Sequence, residues 1–337
     1  MARKTRRVFI LGGGAALGAH QAGALKYLDE QGIKPDAIVA SSIGVVNACA
    51  YASGGIPQLE EAWRRFRSLP LILSPSLWHN PLFGLSLFSA DRLQDSLEEY
   101  IDFPKIMESR IELEFILLNL SRGYGEFFGQ RHCADWRELR TIMRAGYAIP
   151  FLFPPLRFRG DWYADGGFAW NVPLGRALTL QPTEIYVLAP IASELPYKAR
   201  FSSFFDFAVR VADVMWRTIG NMGRLYLSLE EGTVEGIPVT VIEPGEQWSG
   251  SNPLTIFQAN PQKSRLLMDA GYRDAKRALA VAKRARERKR AQAEAEGRAS
   301  GAAARGGSAA APAAAASGTA TVAPASPKVV ALGPRER

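Results

Sequence analysis

A serine, an aspartate and a run of glycines are the residues of this sequence best placed to do chemistry. Ser42 lies in Ala40-Ser41-Ser42-Ile43-Gly44, where a short apolar run gives way to a helix-forming one. Small residues at 40 and 44 permit a sharp strand-to-helix turn that lifts a hydroxyl clear of a sheet. This is a nucleophile elbow, G-x-S-x-G, with alanine at its first glycine. The same serines also suit a plain helix N-cap. Upstream, Gly12-Gly13-Gly14-Ala15-Ala16-Leu17-Gly18 separates an apolar run from a second helical pattern. Its glycines let the backbone turn, and its N–H groups, with the helix N-terminus, stabilise negative charge. A nucleotide phosphate and a reaction oxyanion both fit such a loop. Downstream, Asp165-Gly166-Gly167 follows Trp162-Tyr163-Ala164 and precedes Asn171-Val172-Pro173. An Asp before two glycines is ordinarily a turn.

Taken together the three are more specific than any one alone. Nucleophilic acyl transfer needs an activated hydroxyl, a base and donors for the oxyanion. The sequence supplies a glycine loop, an elbow serine and an aspartate in that order. The only histidines are His20, His79 and His132, so no histidine follows Asp165 and the order Ser…Asp…His is unavailable. Either the aspartate is itself the base, or the chain is not a hydrolase. A nucleotide-binding α/β protein would use Gly12–Gly18 but leave Ser42 and Asp165 without a role. The two cysteines, Cys49 and Cys133, form no CxxC, and the histidines are scattered. No metal site, disulfide framework or cofactor is expected.

Those residues need a scaffold. Val8–Leu11 and Ala37–Ala40 read as short buried strands, and Ala19–Gln31 as a helix closed by Gly32. Another helix runs from Ile43 to about Ser53, where Gly54-Gly55 stops it, and 57–68 is helical again. Strand, glycine turn, helix, strand, tight turn, helix is a βαβα opening and implies an α/β domain with a parallel sheet. Residues 69–90 read as an irregular apolar loop, 91–101 as a helix with Asp91 at its N-cap, Glu112–Asn119 as a strand and 136–147 as a helix. Ile185–Ala189 and Val239–Glu243 are further strands, Ser202–Leu229 is mostly helix and Pro261–Ala282 is a last helix.

Four stretches, 12–25, 41–48, Ala148-Ile149-Pro150…Phe153-Pro154-Pro155 and Asp165-Gly166-Gly167…Asn171-Val172-Pro173, resemble the motifs of the patatin-like phospholipase family. Asp269-Ala270-Gly271-Tyr272 resembles that family's closing helix. The resemblance spans about residues 6–280. It implies a three-layer α/β fold around a central, mostly parallel sheet and a Ser–Asp dyad. Ser42 would attack a lipid ester, and Asp165 would take its proton and later activate water against the acyl-enzyme. The N–H groups of Gly13, Gly14 and Ala15 would bind the oxyanion, supported by Gly12, Gly18, Gly44, Gly166 and Gly167. A phospholipase A or lysophospholipase-like acyl hydrolase follows. A polyester or neutral-lipid esterase with the same dyad, and a catalytically weak lipid-binding protein, are the alternatives. Two departures stand out: Ala40 replaces the first elbow glycine, and Leu17 stands where the family's loop commonly has a basic residue. His20 stands where an aromatic is common and is read as packing on the first helix.

The substrate side shows in two apolar clusters, Trp78, Leu82, Phe83, Leu85, Leu87 and Phe88, and Phe151, Leu152 and Phe153. Each suits an acyl trough, an interfacial contact or plain core. Phe201, Phe204, Phe205 and Phe207 raise the same question. The net charge of the 337-residue chain is +8, but its distribution decides what it means. Residues 276–337 hold 13 basic and 4 acidic residues, a net of +9, which leaves the body at −1. A basic nucleic-acid-binding domain is therefore excluded as an expectation. The chain reads as an acyl hydrolase domain (6–280), a basic helical extension (281–298) and an Ala/Gly/Ser/Pro-rich disordered tail (299–337). The cluster at 283–290 suits an anionic lipid surface. With no signal-peptide or transmembrane pattern, the expected place is the cytoplasm, peripheral to the inner face of the membrane.

Overall fold

Runs of apolar residues four or five long, too short for buried helices, make the centre of the fold. In a computed structural model they are parallel strands β1 (Arg7–Leu11), β2 (Ala37–Ala40), β7 (Glu184–Leu188) and the longer β9 (Ile237–Ile242). The structure describes residues 5–66, 85, 86, 88–192, 197, 198, 200–204, 206, 207, 210, 211, 214, 215, 218, 232–245 and 259–306. To these strands are added β3 (Glu112–Asn119), β4 (Tyr124–Phe128), β5 (Leu156–Phe158), β6 (Asp161–Asp165) and β8 (Thr233–Val234). The sheet order is β5-β6-β3-β2-β1-β7-β9-β8, with β4 also paired to β3. β3 runs parallel to β2, while β4, β5, β6 and β8 pair antiparallel.

The helices are α1 (Gly18–Glu30), α2 (Ile43–Arg65), α3 (Asp91–Glu98), α4 (Phe103–Met107), α5 (Trp136–Gly146), α6 (Leu174–Thr179) and α7 (Pro261–Gly306). Alternate residues of the strands face opposite sides. Phe9, Leu11, Ile38, Ala40, Phe115 and Leu117 pack with Leu25 of α1, Val45 and Cys49 of α2, and Leu139 and Ile142 of α5. Val8, Ile10, Val39, Ile185 and Val187 face the other way, onto Val172, Leu174 and Ala177. Three layers result, as expected. Such side chains contribute about 2 kcal/mol each on full burial.

Helix α7 docks on α1. Tyr27 and Tyr272 meet edge to face at 5.0 Å, and the Tyr272 hydroxyl donates to Glu30 at 2.7 Å. His20, read as plain packing, is fully buried and pairs through Nε2 with Asp274 at 3.0 Å. Burial would raise the Asp274 carboxyl, but His20 and Arg277 hold it below its ordinary range.

Several boundaries differ from expectation. The two helices read at 43–53 and 57–68 appear as α2, kinked at Gly55, whose φ is +67°. Ala90, not Asp91, is the N-cap of α3, and that helix ends at Glu98. The antiparallel strands β4, β5 and β6 are not anticipated, since each is only three to five residues and not uniformly apolar. Helix α7 continues to Gly306, past the expected end of the basic extension. Residues after 282 are mostly Ala, Arg, Glu and Gln, and glycines at 297 and 301 cost about 1 kcal/mol each against that background. The chain divides into a compact body through Arg286 and a second unit from Glu287, helical as far as Gly306. Most of the 69–90 loop, parts of the 202–229 helix and residues 307–337 of the tail lie outside the described residues. Among the described residues no helix is long and apolar enough to cross a membrane.

Candidate active site

The glycine loop leaves β1 and stays pinned to the sheet. Gly12 N–H donates to Leu188 O at 3.1 Å, and Leu17 N–H closes a 3-10 turn onto Gly14 O at 3.0 Å. At the end of the neighbouring strand, Ser41 N–H donates to Leu11 O at 3.0 Å. The chain then reverses at Ser42, whose φ of 51° and ψ of −129° put a side-chain-bearing residue in sparsely populated backbone space. Helix α2 starts at the next residue, so the elbow is strained and not a simple cap. Gly44 lets α2 start this close to β1, since a Cβ there would lie 2.2 Å from Leu11 O. A Cβ on Gly13 would lie 2.6 Å from Ser42 Cβ, so the loop runs directly against the serine.

Strand register brings Asp165 to the same point. Phe115 of β3 pairs with both Ala40 and Phe128, and Leu117 pairs with both Glu126 and Asp165. A residue has one partner per edge, so β2 and β6 lie on one edge of β3 and β4 on the other. β2 and β6 therefore run toward each other along one edge and stop two positions apart, about 6–7 Å at the strand rise. Ala40 and Asp165 share the face of Phe115 and Leu117. Ser42, two residues beyond Ala40, is brought toward Asp165.

Asp165 is completely buried. Its N–H donates to Ala148 O at 2.9 Å, and its Oδ1 accepts from Gly167 N–H at 2.8 Å. Burial pushes the carboxyl up to about 7, against hydrogen bonds from the Ser42 hydroxyl and Gly167 N–H. Oδ2 has no partner of good hydrogen-bond geometry among the described residues.

Asn171, which is not singled out by the sequence reading beyond its motif, organises the loop. Its Oδ1 accepts from Gly13 N–H at 2.6 Å and from the Ser41 hydroxyl at 3.1 Å, and its Nδ2 donates to Gly13 O at 3.3 Å. Gly13 N–H, one of the expected oxyanion donors, is thus taken by Asn171. Among the described residues no acceptor takes the N–H of Gly14 or Ala15. Gln21 and Asn47 form a second buried network. Gln21 Nε2 donates to Gly12 O at 2.7 Å and Leu188 O at 2.9 Å. Asn47 Nδ2 donates to Gln21 Oε1 at 2.8 Å and Gly18 O at 3.0 Å, and its Oδ1 accepts from Trp63 Nε1 at 2.9 Å. An amide in each of two otherwise apolar helix faces is the signal the sequence offers for it. Gly166 and Gly167 form a short 3-10 turn after Asp165. Leu17 is buried in the core, so position 17 sends no charge toward the serine.

An apolar cleft of about 50 Å³ opens over Ser42, lined by Ala15, Ile43, Phe66, Leu93, Leu97, Tyr147, Ile149 and Phe153. Leu93 and Leu97 come from α3, which is anchored to α5 by Glu98 with Arg140 and Arg144. Burial alone would raise Glu98, but those two arginines hold it below the ordinary carboxylate range. Of the expected apolar residues, Phe153 lines the cleft, and Phe88 and Leu152 pack beside it. Leu85 and Phe151 face solvent. Trp78, Leu82, Phe83, Leu87 and Phe205 lie outside the described residues. Phe201, Phe204 and Phe207 are exposed and not core.

The family model described as patatin-like phospholipase matches residues 9–178. The lysophospholipase NTE1 of Coccidioides immitis is 28% identical over 195 residues, 53% of this chain and 11% of the relative. The lysophospholipase NTE1 of Saccharomyces cerevisiae is 27% identical over 180 residues, 49% of this chain and 10% of the relative. The chain thus spans about a tenth of the length of these curated relatives. The crystal structure of VipD from Legionella pneumophila superposes with a TM-score of 0.48 at 13% identity, covering 83% of this chain and 67% of that one.

Proposed function

The chain belongs to the patatin-like phospholipase family, and from that premise we propose that it is a lipid acyl hydrolase working through Ser42 and Asp165. The observation that carries the reading is the meeting of β2 and β6 on one edge of β3, which sets the strained Ser42 against a fully buried carboxyl. A carboxyl poised at about 7 is partly ionised at neutral pH and is matched to a proton that must be taken and returned. Ser42 Oγ attacks the ester carbonyl while its proton passes to Asp165. The tetrahedral oxyanion is held by Gly14 and Ala15 N–H, close to the start of α2. Asp165 then returns the proton to the departing alcohol or lyso-lipid oxygen. In the second half it takes a proton from water, whose oxygen attacks the acyl-enzyme, and passes that proton to Ser42 Oγ as the fatty acid leaves.

The substrate class follows from the cleft. Its lining is almost wholly apolar, which suits a long acyl chain and favours lipid esters. Exposed Lys283, Arg284 and Arg286 offer a contact for anionic head groups at the inner membrane face.

Purified protein should hydrolyse p-nitrophenyl acyl esters, and Ser42→Ala and Asp165→Asn should each remove nearly all activity. A fluorophosphonate should label Ser42 and not Ser41, whose hydroxyl already donates to Asn171 O at 2.8 Å. Activity that survives both substitutions would refute the assignment.

A further inference from the structure

The segment that lines one wall of the cleft turns one large side chain the wrong way for a core. Ile149 and Phe153 face the cleft, but Phe151 between them is 78% exposed. Its φ is +69°, the left-handed region that glycine adopts freely and a bulky residue rarely does. Leu85, 64% exposed, sits beside it. The two chains are tied by a parallel bridge from Ser86 to Phe151 and by Phe88 N–H donating to Leu152 O at 3.0 Å. Two exposed apolar side chains therefore sit on tied segments, one of which, through Ile149 and Phe153, forms a wall of the cleft that holds Ser42.

We propose that Phe151 and Leu85 are the contact through which the cleft mouth docks on a lipid surface that presents the ester. The inference rests on the lipid-ester reading above and adds where the surface is met. Area decides the occupant. Among the described residues of these segments the two side chains expose on the order of 250 Å², far below the roughly 800 Å² per partner of a stable protein interface. A bilayer or micelle needs no complementary shape, and an acyl chain can pass from it into the apolar cleft without crossing water.

The test uses the full chain carrying Phe151→Gly and Leu85→Ser. Partitioning is measured by co-sedimentation with phosphatidylcholine vesicles containing lysophosphatidylcholine, which are zwitterionic and keep electrostatic attraction to 283–290 out of the readout. Removing an apolar side chain from lipid lowers partitioning roughly tenfold each, so the double variant should bind vesicles about 100-fold more weakly. It should also turn over vesicle lipid correspondingly slowly, with hydrolysis of dissolved p-nitrophenyl butyrate within about twofold of wild type. Phe151→Gly alone should melt no lower than wild type, since glycine relieves the positive φ. Equal partitioning of variant and wild type would overturn the proposal. So would wild type that does not sediment with vesicles, or a variant that changes only from dimer to monomer. Vesicle partitioning needs no catalysis, so a failure of the hydrolase reading would show separately, as p-nitrophenyl butyrate hydrolysis that Ser42→Ala leaves unchanged.

Discussion

Replacing Asp165 by Asn should remove activity and stabilise the protein, with a gain that depends on pH in a way burial dictates. In the folded chain the carboxyl is raised from 3.8 to about 7 by burial, with Ser42 and Gly167 opposing the rise. A raised folded value means that the native state holds the proton more tightly than the unfolded chain. The stability this contributes is fully present below the unfolded value and is lost as pH rises through the folded one. Three units at 1.36 kcal/mol each give a loss of about 4 kcal/mol between about pH 4 and pH 7, level thereafter. Asn is neutral throughout and keeps an acceptor for Gly167 N–H. The Asp165→Asn variant and the wild-type protein should melt together near pH 4 and diverge to on the order of 10 °C by pH 8. Melting curves across that range are the assay. Wild-type kcat/KM should rise over the same interval with a single ionisation near 7, because the base must be unprotonated. A melting gap that does not change with pH, or wild type the more stable at pH 8, would refute the argument from burial.

Further expectations rest on other contacts. Ser42→Gly should abolish ester hydrolysis yet raise stability by about 1–3 kcal/mol, because glycine accepts the elbow backbone without strain; denaturant melts and a turnover assay check both halves. Asn171→Ala should cost about 1–3 kcal/mol and lower kcat more than it changes KM, since it leaves Gly13 N–H without an acceptor. Glu98→Ala should destabilise by about 1–2 kcal/mol, the half-buried share of a buried ion pair. It should also raise KM for long-chain esters but not short ones, because Leu93 and Leu97 on α3 line the cleft, and a chain-length series reads this.

Local features are legible in the sequence and long-range ones are not. The elbow at Ser42 and the glycine loop are set by neighbours within a few residues, so their small residues give them away. Strand β2 and, after their first charged residue, strands β1 and β7 are buried apolar runs, which also read directly. Strand β6 does not, because Asp161-Trp162-Tyr163-Ala164-Asp165 carries charge at both ends and gains its place only by pairing with β3. The same dependence hides the reason Asp165 meets Ser42, which lies in the β3 register and in no local pattern. Asn171 reaches a backbone 158 residues away, a partnership no spacing rule exposes. The limit of α7 escapes for the opposite reason, since helix propensity alone carries it through glycines that ordinarily stop a helix.

Three groups that oppose folding where they stand lie on or beside one cleft. Ser42 holds an unfavourable backbone, Asp165 an unfavourable charge state and Phe151 both a positive φ and an apolar surface in water. Elsewhere the buried polar groups around the loop are paired, as in the chain from Trp63 through Asn47 and Gln21 to Gly12 and Leu188. Strain held in place by a paired network is what a site for chemistry requires. The network is rigid enough to hold the strained groups, and two of them, Asp165 and Phe151, have a defined occasion of relief. Proton transfer to Asp165 neutralises the buried charge, and contact with lipid removes Phe151 from water. On this account the two reliefs should be separable. Substitutions at Phe151 should alter turnover only when substrate lies in a surface, and substitutions at Asp165 should alter it for every ester.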